Sequence, residues 1–421
     1  MKRTQKEELE KKPQFQTYAS NKSFRSYLLF WLGQNISLLG SSIVRFAIIW
    51  WITVETESAI ILSIASVITF LPQVITVPIA GVFADKWNRR LALIIIDFSQ
   101  ALFTFILVLV FLGGWGTVLV VLAFNFIRSI FQAFHMPTVD AIVPAMVPKD
   151  RLTRMNSINN LFTGLIRFFG PIIGAVFLVF WSITEILWID IITFIIAVIP
   201  LLFISIPSVE RDYDKQEEFS FTQEFKEGLL LLKNTPGFLV LALWSLIVNF
   251  LSVPFMTLLP YFVKVTHSGT ELNYAILLAC LQAGSIIGAL IISIKKNWSR
   301  KPLIIMGSGV LTFIGYLLVA LTPPGFFLMI CIGIVIRGFT FATGTPIYYT
   351  ILQTAVPPDK QGRISSIDTT ISFAIIPVGM AIAGPLANFM GIVNYFIILS
   401  ISGILVNVVF YFFTGIRKIK Y

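Results

Sequence analysis

Long apolar segments separated by short polar connections constrain this chain more than any other feature of its sequence. Of its 421 residues, 57% are hydrophobic and only 12% are charged, which excludes an ordinary soluble domain. A helix needs about 20 apolar residues to cross a bilayer. The sequence therefore predicts an all-α membrane protein with twelve transmembrane helices. We place the spans at residues 27–52, 59–83, 91–112, 117–142, 156–180, 184–205, 238–262, 273–294, 302–321, 326–349, 364–388 and 392–414.

The distribution of Lys and Arg predicts which side of the membrane the termini face. Cytoplasmic loops of membrane proteins are enriched in these residues. With the spans above, 26 of the 31 Lys and Arg residues fall in the terminal segments or in loops on the same side, and only Lys264 falls in an opposite loop. We therefore expect both termini to be cytoplasmic. The net charge of +10 is then explained by anionic lipid at that surface and needs no nucleic-acid partner.

A pattern of one arginine, two prolines and an aspartate occurs twice in the chain, 209 residues apart. The two copies are Arg128, Pro137, Pro148, Asp150 and Arg337, Pro346, Pro357, Asp359. Trp87 is echoed by Trp298 at an offset of 211, and the pair Gly170-Pro171 by Gly384-Pro385 at an offset of 214. Because equivalent loops of the two copies face the same side, the repeat is parallel, about an axis along the membrane normal.

This repeat divides the chain into two six-helix halves, residues 1–207 and 237–421, joined by a cytoplasmic linker at 208–236. Residues 210–218 of the linker are strongly charged. Phe221, Phe225, Leu229 and Leu232 follow at helical spacing, which predicts an amphipathic helix at the membrane surface. A simple connector helix without a regulatory role is the alternative.

One loop resembles a known family motif. The segment from Gly81 through Asp85 and Lys86 to Arg89 and Arg90 is similar to G-x-x-x-D-[RK]-x-x-R-[RK], found after span two of major facilitator transporters. Residues 126–130 and 133–137 resemble the macrolide-efflux branch of that superfamily. The resemblance implies the major facilitator fold, two pseudo-symmetric six-helix halves.

The resemblance also implies a cytoplasmic gate. Asp85 would lie against the start of span eleven, where the positive end of a helix dipole favours an anion. Arg89 or Arg90 would pair with Asp140 at the inner end of span four. The alternative is that these charges only anchor the loop at the membrane surface.

A glycine motif in span five matches part of an exporter pattern. Gly170, Pro171 and Gly174 fit G-P-x-x-G-G, but Ala175 replaces the last glycine. We expect these small residues to allow close helix packing.

Seven charged residues lie within the predicted spans in addition to Asp140 and Glu185, which are at span ends. A charge at bilayer depth costs about 2.5 to 3.5 kcal/mol on insertion scales, so each is a candidate for carrying a proton or contacting a substrate charge. The carboxylates are Asp97, Asp190 and Asp368, and the cations available to pair with them are Arg45, Arg128, Arg167 and Arg337. We rank Asp97 and Asp190 first. Arg128 is expected to be the working arginine and Arg337 its structural echo.

The remaining chemistry-bearing residues point to no reaction. We expect a structural role for His135 and place His267 in an outer loop. Cys280 and Cys331 lack the spacing of a disulfide framework or a metal site. No phosphate-binding G-x-x-x-x-G-K-[ST] loop occurs, so ATP-driven pumping is not expected and no cofactor is required.

These features and the resemblance together lead us to expect a proton-coupled exporter in a bacterial inner membrane, acting as a monomer. Its expected partners are protons, the lipid bilayer and a bulky amphipathic substrate, with macrolide antibiotics the best guess. An uptake permease and a non-transporting receptor are the alternatives. A membrane-embedded enzyme is disfavoured because no nucleophile lies near a base in the sequence.

Overall fold

A computed structural model of the chain describes residues 21–206, 237–295, 298–355, 361, 368, 370 and 372–418, without the side chains of 21, 22, 77–79, 81–86, 355, 417 and 418. The predicted linker helix lies outside the described residues. Within them are twelve helices long and apolar enough to cross a membrane. They are α1 (Asn21–Thr56), α2 (Ala59–Lys86), α3 (Arg89–Leu112), α4 (Val118–Met146), α5 (Lys149–Phe180), α6 (Ile183–Phe203), α7 (Phe238–Tyr261), α8 (Glu271–Ile294), α9 (Lys301–Ala320), α10 (Phe327–Ala355), α11 (Ile376–Met390) and α12 (Ile392–Phe413). α11 reaches this length together with the residues just before it, as the span Ser372–Met390.

The predicted spans correspond one to one with these helices, and the differences at their ends have physical causes. α5 starts at Lys149 rather than 156, because a helix continues past the apolar segment into its polar flank. The regular helix α11 is interrupted before Ile376, and its predicted start at 364 lies outside the described residues. Residues 372–374 are helical, but a turn at Ile375 precedes Pro377, which has no backbone N–H to donate.

The same helix pairs pack in both halves, which confirms the twofold architecture. In the first half α1 packs against α5 and α6, α2 against α4, and α3 against α4 and α6. In the second half α7 packs against α11 and α12, α8 against α10, and α9 against α10 and α12. The main contacts between the halves, α2 with α11 and α5 with α8, are also equivalent to each other. The boundaries drawn at 207 and 237 stay predictions.

The largest apolar cluster joins the two halves at one end of the molecule. We call this the distal end, where α1 ends and α2 begins, and the opposite end, where α1 begins and α12 ends, the terminal end. Tyr274 of α8 stacks there with Phe46 and Trp50 of α1, at ring-centroid distances of 5.4 and 5.9 Å. At the terminal end, the clusters around Phe30 and around Phe238 each belong to a single half among the described residues. Described apolar packing between the halves is therefore concentrated at the distal end.

The repeated glycine–proline pair has a different packing partner in each half. A Cβ at Gly170 would lie 2.3 Å from Oγ of Ser42, and one at Gly174 would lie 3.1 Å from the carbonyl oxygen of Ile43, so α5 packs closely on α1. Pro171 is buried beside them. A Cβ at Gly384 would lie 2.5 Å from the carbonyl oxygen of Ala59, on the other half of the molecule. The first copy thus closes a contact within one half and the second closes the contact between halves.

Candidate functional site

Each half contains a polar cavity beside its repeated arginine. The N-half cavity has a volume of about 390 Å³ and is lined mainly by α1, α2 and α4, with Arg45, Gln100 and Arg128 among its walls. The C-half cavity has a volume of about 350 Å³ and is lined by residues of the second half, including Arg337 and Asp368. The sequence repeat therefore places one arginine at each of two equivalent cavities.

The two cavities are neighbours. Phe70 of α2 lines the N-half cavity, and Phe373, just before α11, lines the C-half cavity. Their rings stack almost in parallel, with centroids 6.4 Å apart and planes 8° apart. Met380 of α11 reaches across and also lines the N-half cavity. A ligand at the interface between the halves could therefore contact both cavities.

In the first half, Arg128 forms an ion pair with the fully buried carboxylate of Asp190 on α6. The hydroxyl of Ser41 on α1 donates to Oδ1 of Asp190 at 2.9 Å, and that of Thr104 on α3 donates to Oδ2 at 3.3 Å. Four helices thus meet at one carboxylate. A buried charge needs this degree of pairing and hydrogen bonding to be tolerated.

Two further embedded arginines of the first half, Arg45 and Arg167, have no carboxylate partner among the described residues. Arg45 lines the N-half cavity, and its charge interacts with those of Arg128, Arg167 and Asp190. Both arginines were considered as possible partners of the embedded carboxylates, and neither forms an ion pair with one in the described part of the chain. The charges that act on Arg45 there are two arginines and one aspartate, so its surroundings have a positive electrostatic character.

In the second half, the repeated arginine has aromatic partners. Nε of Arg337 donates to the hydroxyl of Tyr316 at 2.8 Å, and its guanidinium lies 5.0 Å from the centroid of Phe341. Asp368, also at this cavity, accepts a hydrogen bond from the hydroxyl of Tyr348. Trp244 and Tyr349 add further aromatic surface. The C-half cavity therefore combines a carboxylate with rings that can hold a cation or an apolar group.

Asp97 pairs with no arginine in the described part of the chain, and lies in a cluster with Gln34 and His135. Nε2 of Gln34 donates to Oδ2 of Asp97 at 3.2 Å. Nε2 of His135 lies 2.9 Å from Oε1 of Gln34 and 3.3 Å from Oδ1 of Asp97. The sequence analysis assigned His135 a structural role and did not foresee its place beside Asp97. The available signal was its position two turns after Arg128 on α4, which places both residues on one helix face.

The match to known proteins now identifies the family. Residues 30–374 and 294–420 match the family model described as Major Facilitator Superfamily. This chain belongs to the major facilitator superfamily. It is a multi-pass membrane transporter by family and architecture, a class distinct from enzymes.

Similar proteins of this superfamily include drug exporters. Macrolide efflux protein A of Streptococcus pyogenes is 27% identical over 397 residues, which cover 93% of this chain and 97% of that protein. The multidrug efflux pump Tap of Mycolicibacterium fortuitum is 23% identical over 386 residues, covering 90% of this chain and 93% of that one. A crystal structure of a nucleoside transporter matches with a TM-score of 0.68 at 13% identity, over 90% of this chain and 99% of the other, and shows the same fold.

The loop motif of this facilitator makes one contact that differs from the expected gate. Nε of Arg90 donates to the carbonyl oxygen of Leu201 at 2.6 Å, and a terminal guanidinium nitrogen donates to that of Leu202 at 2.5 Å. Arg90 therefore binds the last carbonyls of α6, which lack partners within their own helix, instead of Asp140. Arg89 begins α3. The side chains of Asp85 and Lys86, the surroundings of Gly81 and residues 362–367 lie outside the described part of the chain, so the Asp85 contact stays a prediction.

Proposed function

We propose that this facilitator is a proton-coupled secondary exporter of drugs or other amphipathic small molecules. The observation that carries this proposal is the pair of adjacent cavities, one in each half, on either side of the stacked rings of Phe70 and Phe373. When two halves that share a binding site rock against each other, the site opens first to one side of the membrane and then to the other.

The chemistry of the two cavities favours a bulky, amphipathic substrate. Together they have the volume of a drug-sized site, which typically spans about 300–1,000 Å³. Arg45 and Arg128 offer hydrogen-bond donors to substrate oxygens in the N-half cavity. Asp368 and the aromatic rings of the C-half cavity offer a place for an amine. A macrolide has many oxygen acceptors and a basic amino sugar, so macrolides remain our best substrate guess, in agreement with the name of the Streptococcus pyogenes relative.

We further propose that the protein acts as a monomer in the bacterial inner membrane with its termini in the cytoplasm, as the positive-inside pattern favours. The distal cluster of Phe46, Trp50 and Tyr274 would then seal the outer side, and the cavities would be reached from the cytoplasm. Export would require these rings to separate while the loop motif closes the inner side. Proton movement down its gradient would supply the free energy for this cycle.

The test is retention of labelled erythromycin in a macrolide-sensitive bacterium that expresses this chain. Expressing cells should retain less erythromycin than cells carrying the empty vector, and an uncoupler should raise retention to the control level. Asp150→Asn, which alters an exposed carboxylate, serves as an expressed control and should behave like the wild type.

Two other outcomes would redirect the proposal. Equal retention with and without the protein would remove macrolides as substrates, and the same assay with tetraphenylphosphonium would then test other amphipathic cations. Uncoupler-sensitive accumulation instead of extrusion would favour the alternative, a proton-coupled uptake permease. Absence of any transport across a broad compound panel would favour a non-transporting receptor.

A further inference from the structure

The cluster of Gln34, Asp97 and His135 joins three helices, away from the ion pair at the N-half cavity. Gln34 lies on α1, Asp97 on α3 and His135 on α4. His135 is two turns closer to the terminal end than Arg128, and Asp97 is two turns closer than Thr104. Asp97 is 0% exposed, whereas the side chain of His135 is 15% exposed. The cluster is thus a buried carboxylate beside a histidine that retains a small accessible surface.

The hydrogen bond between Gln34 and His135 fixes where a proton could be taken up. Oε1 of Gln34 only accepts hydrogen bonds, so Nε2 of His135 carries the ring hydrogen. Nδ1 of His135 is buried and has no hydrogen-bond partner among the described residues. It is the nitrogen whose lone pair is left for a proton. Uptake there forms one N–H bond and breaks none within the protein.

Proton uptake changes the net charge of the cluster, and this change can alter the conformation of the protein. With His135 neutral, the cluster carries the charge of Asp97 in a dry interior, which favours any state that brings water or a cation to it. One added proton makes the cluster neutral overall, whether it resides on Nδ1 or is shared with the carboxylate. The protonated cluster is therefore stable in a state that keeps it away from water, whereas the deprotonated cluster favours a state that exposes it. Protonation thus shifts the equilibrium between these two conformations.

A row of buried polar side chains connects this cluster to the N-half cavity. Asp97, Gln100 and Thr104 follow one another along one face of α3, at spacings of three and four residues, and all three are buried. Gln100 lines the cavity, and its Nε2 has no partner among the described residues. Thr104 donates to Asp190, the partner of Arg128. The face of α3 that carries Asp97 therefore also lines the cavity at Gln100 and contacts Asp190 at Thr104.

Other ionisable groups share the interior of this half, and none replaces the cluster. α2 has no ionisable residue within Ala59–Thr76. The groups on the remaining helices around the cluster are Asp140 and Arg128 on α4, Asp190 on α6, Tyr27 and Arg45 on α1, and Arg167 on α5. Asp140 interacts electrostatically with His135. Asp190 is held by Arg128, Ser41 and Thr104, so it is the less available of the two buried aspartates in this half.

We propose that Asp97 and His135, held by Gln34, form the proton-binding site that couples transport in this protein. The inference rests on the proposed proton-coupled export and assigns its coupling residues. Asp190 then holds Arg128 in place at the cavity, and the two aspartates of the first half have separate tasks. The row along α3 carries the protonation state of the site to the cavity.

The experiment uses the full-length protein in proteoliposomes, with erythromycin as the probe. Two measurements are made: uptake driven by an imposed pH gradient, and counterflow, in which labelled and unlabelled erythromycin exchange without a gradient. His135→Gln and Asp97→Asn should lose gradient-driven uptake and retain counterflow, because exchange needs alternating access but no proton cycle. His267→Gln and Asp150→Asn make the same residue changes outside the cluster. They serve as matched controls and should retain both activities.

The outcomes separate this inference from the proposed function. If the wild type exchanges erythromycin but ignores the pH gradient, proton coupling itself is wrong. If the wild type is gradient-driven and either cluster variant remains so, the site assignment is overturned. Loss of counterflow together with driven uptake would also overturn it, since the pair would then serve structure. As a further check, Asp97→Glu should restore gradient-driven uptake that Asp97→Asn loses, because it returns a titratable carboxylate.

Discussion

Arg128 and Arg337 are copies of one sequence motif, yet they have different partners. Arg128 pairs with the buried carboxylate of Asp190, whereas Arg337 donates to the hydroxyl of Tyr316 and lies over the ring of Phe341. α12, the counterpart of α6, contains no Asp or Glu between Ile392 and Phe413. The second half thus lacks a carboxylate equivalent to that of Asp190. The repeat preserved the backbone arrangement while the chemistry of the two cavities diverged.

The carboxylates show the same divergence between the halves. In the first half, Asp97 and Asp190 are both held in polar clusters built from several helices. In the second half, Asp368 accepts from a tyrosine inside an aromatic cavity. We interpret the first half as the place of charge coupling and the second as the place of substrate contact. Three predictions test this division, beginning with the largest expected effect.

Removal of the two repeated arginines should have unequal consequences. Arg128→Gln leaves Asp190 buried without its cation, and breaking a buried ion pair costs about 3 to 5 kcal/mol. Arg337→Gln loses one hydrogen bond and a cation–π contact, about 1 to 2 kcal/mol together. Thermal unfolding of the detergent-solubilised protein should therefore show a much larger loss for Arg128→Gln, and drug extrusion should fall in the same order.

A double variant provides the control for this prediction. Arg128→Gln combined with Asp190→Asn removes both charges, so no uncompensated charge remains and much of the stability should return. Equal destabilisation by Arg128→Gln and Arg337→Gln would contradict the division between the halves. Failure of the double variant to recover would show that the cost arises from packing.

The repeated glycines should also differ in their sensitivity to substitution. Gly384→Ala directs a methyl group at the backbone of Ala59 and Ile60, which cannot rotate away, whereas Gly170→Ala meets the side chain of Ser42, which can. Overpacking typically costs about 1 to 3 kcal/mol, and we expect Gly384→Ala to lie at the upper end and Gly170→Ala at the lower end.

Because Gly384 packs between the halves, its substitution should also alter the conformational equilibrium. Crosslinking of cysteine pairs introduced across the distal end should become less efficient in Gly384→Ala and remain unchanged in Gly170→Ala. If Gly170→Ala had the larger effect, the contact between the halves would tolerate an added methyl group better than the contact within the first half.

The smallest expected effect concerns the two described histidines, one in each half, and the stability change when His267 is replaced. Nδ1 of His267 accepts from the backbone N–H of Gly325, and burial lowers the pKa of the His267 ring. A histidine with a lowered pKa in the folded state contributes stability above about pH 6.5, and this contribution is lost as the pH falls through the folded-state pKa. His267→Gln should therefore be slightly destabilising at pH 8 and should flatten the decline in melting temperature between pH 7 and pH 5.

His135 should behave differently because a carboxylate lies beside it. Substitution of His135 should affect the pH dependence of transport, while that of His267 should leave it unchanged. If His267→Gln shifted the pH profile of erythromycin transport, the assignment of proton binding to the first half would be wrong.

Much of the architecture could be predicted from the sequence, for reasons that are local or periodic. The length of each apolar segment fixed the number of helices, because a bilayer requires about 20 apolar residues for each crossing. The repeated arginine, tryptophan and glycine–proline motifs predicted two equivalent halves. The interruption at Ile375 in front of Pro377 does not follow from the apolar pattern, because hydrophobicity alone carries no information on backbone hydrogen bonding.

Partner choice among the embedded charges was decided only by the tertiary structure. The three aspartates and four arginines singled out in the apolar segments can be paired in many ways. Spacing along one helix does not show which face of another helix it meets. Packing of α3, α4 and α6 joined Arg128 to Asp190, left Arg45 and Arg167 without a carboxylate partner among the described residues, and brought Asp97 to His135. The sequence alone predicted the number of membrane-spanning helices and their division into two equivalent halves of six. The tertiary structure decided which charges meet, because that depends on how helices far apart in the sequence rotate and approach one another.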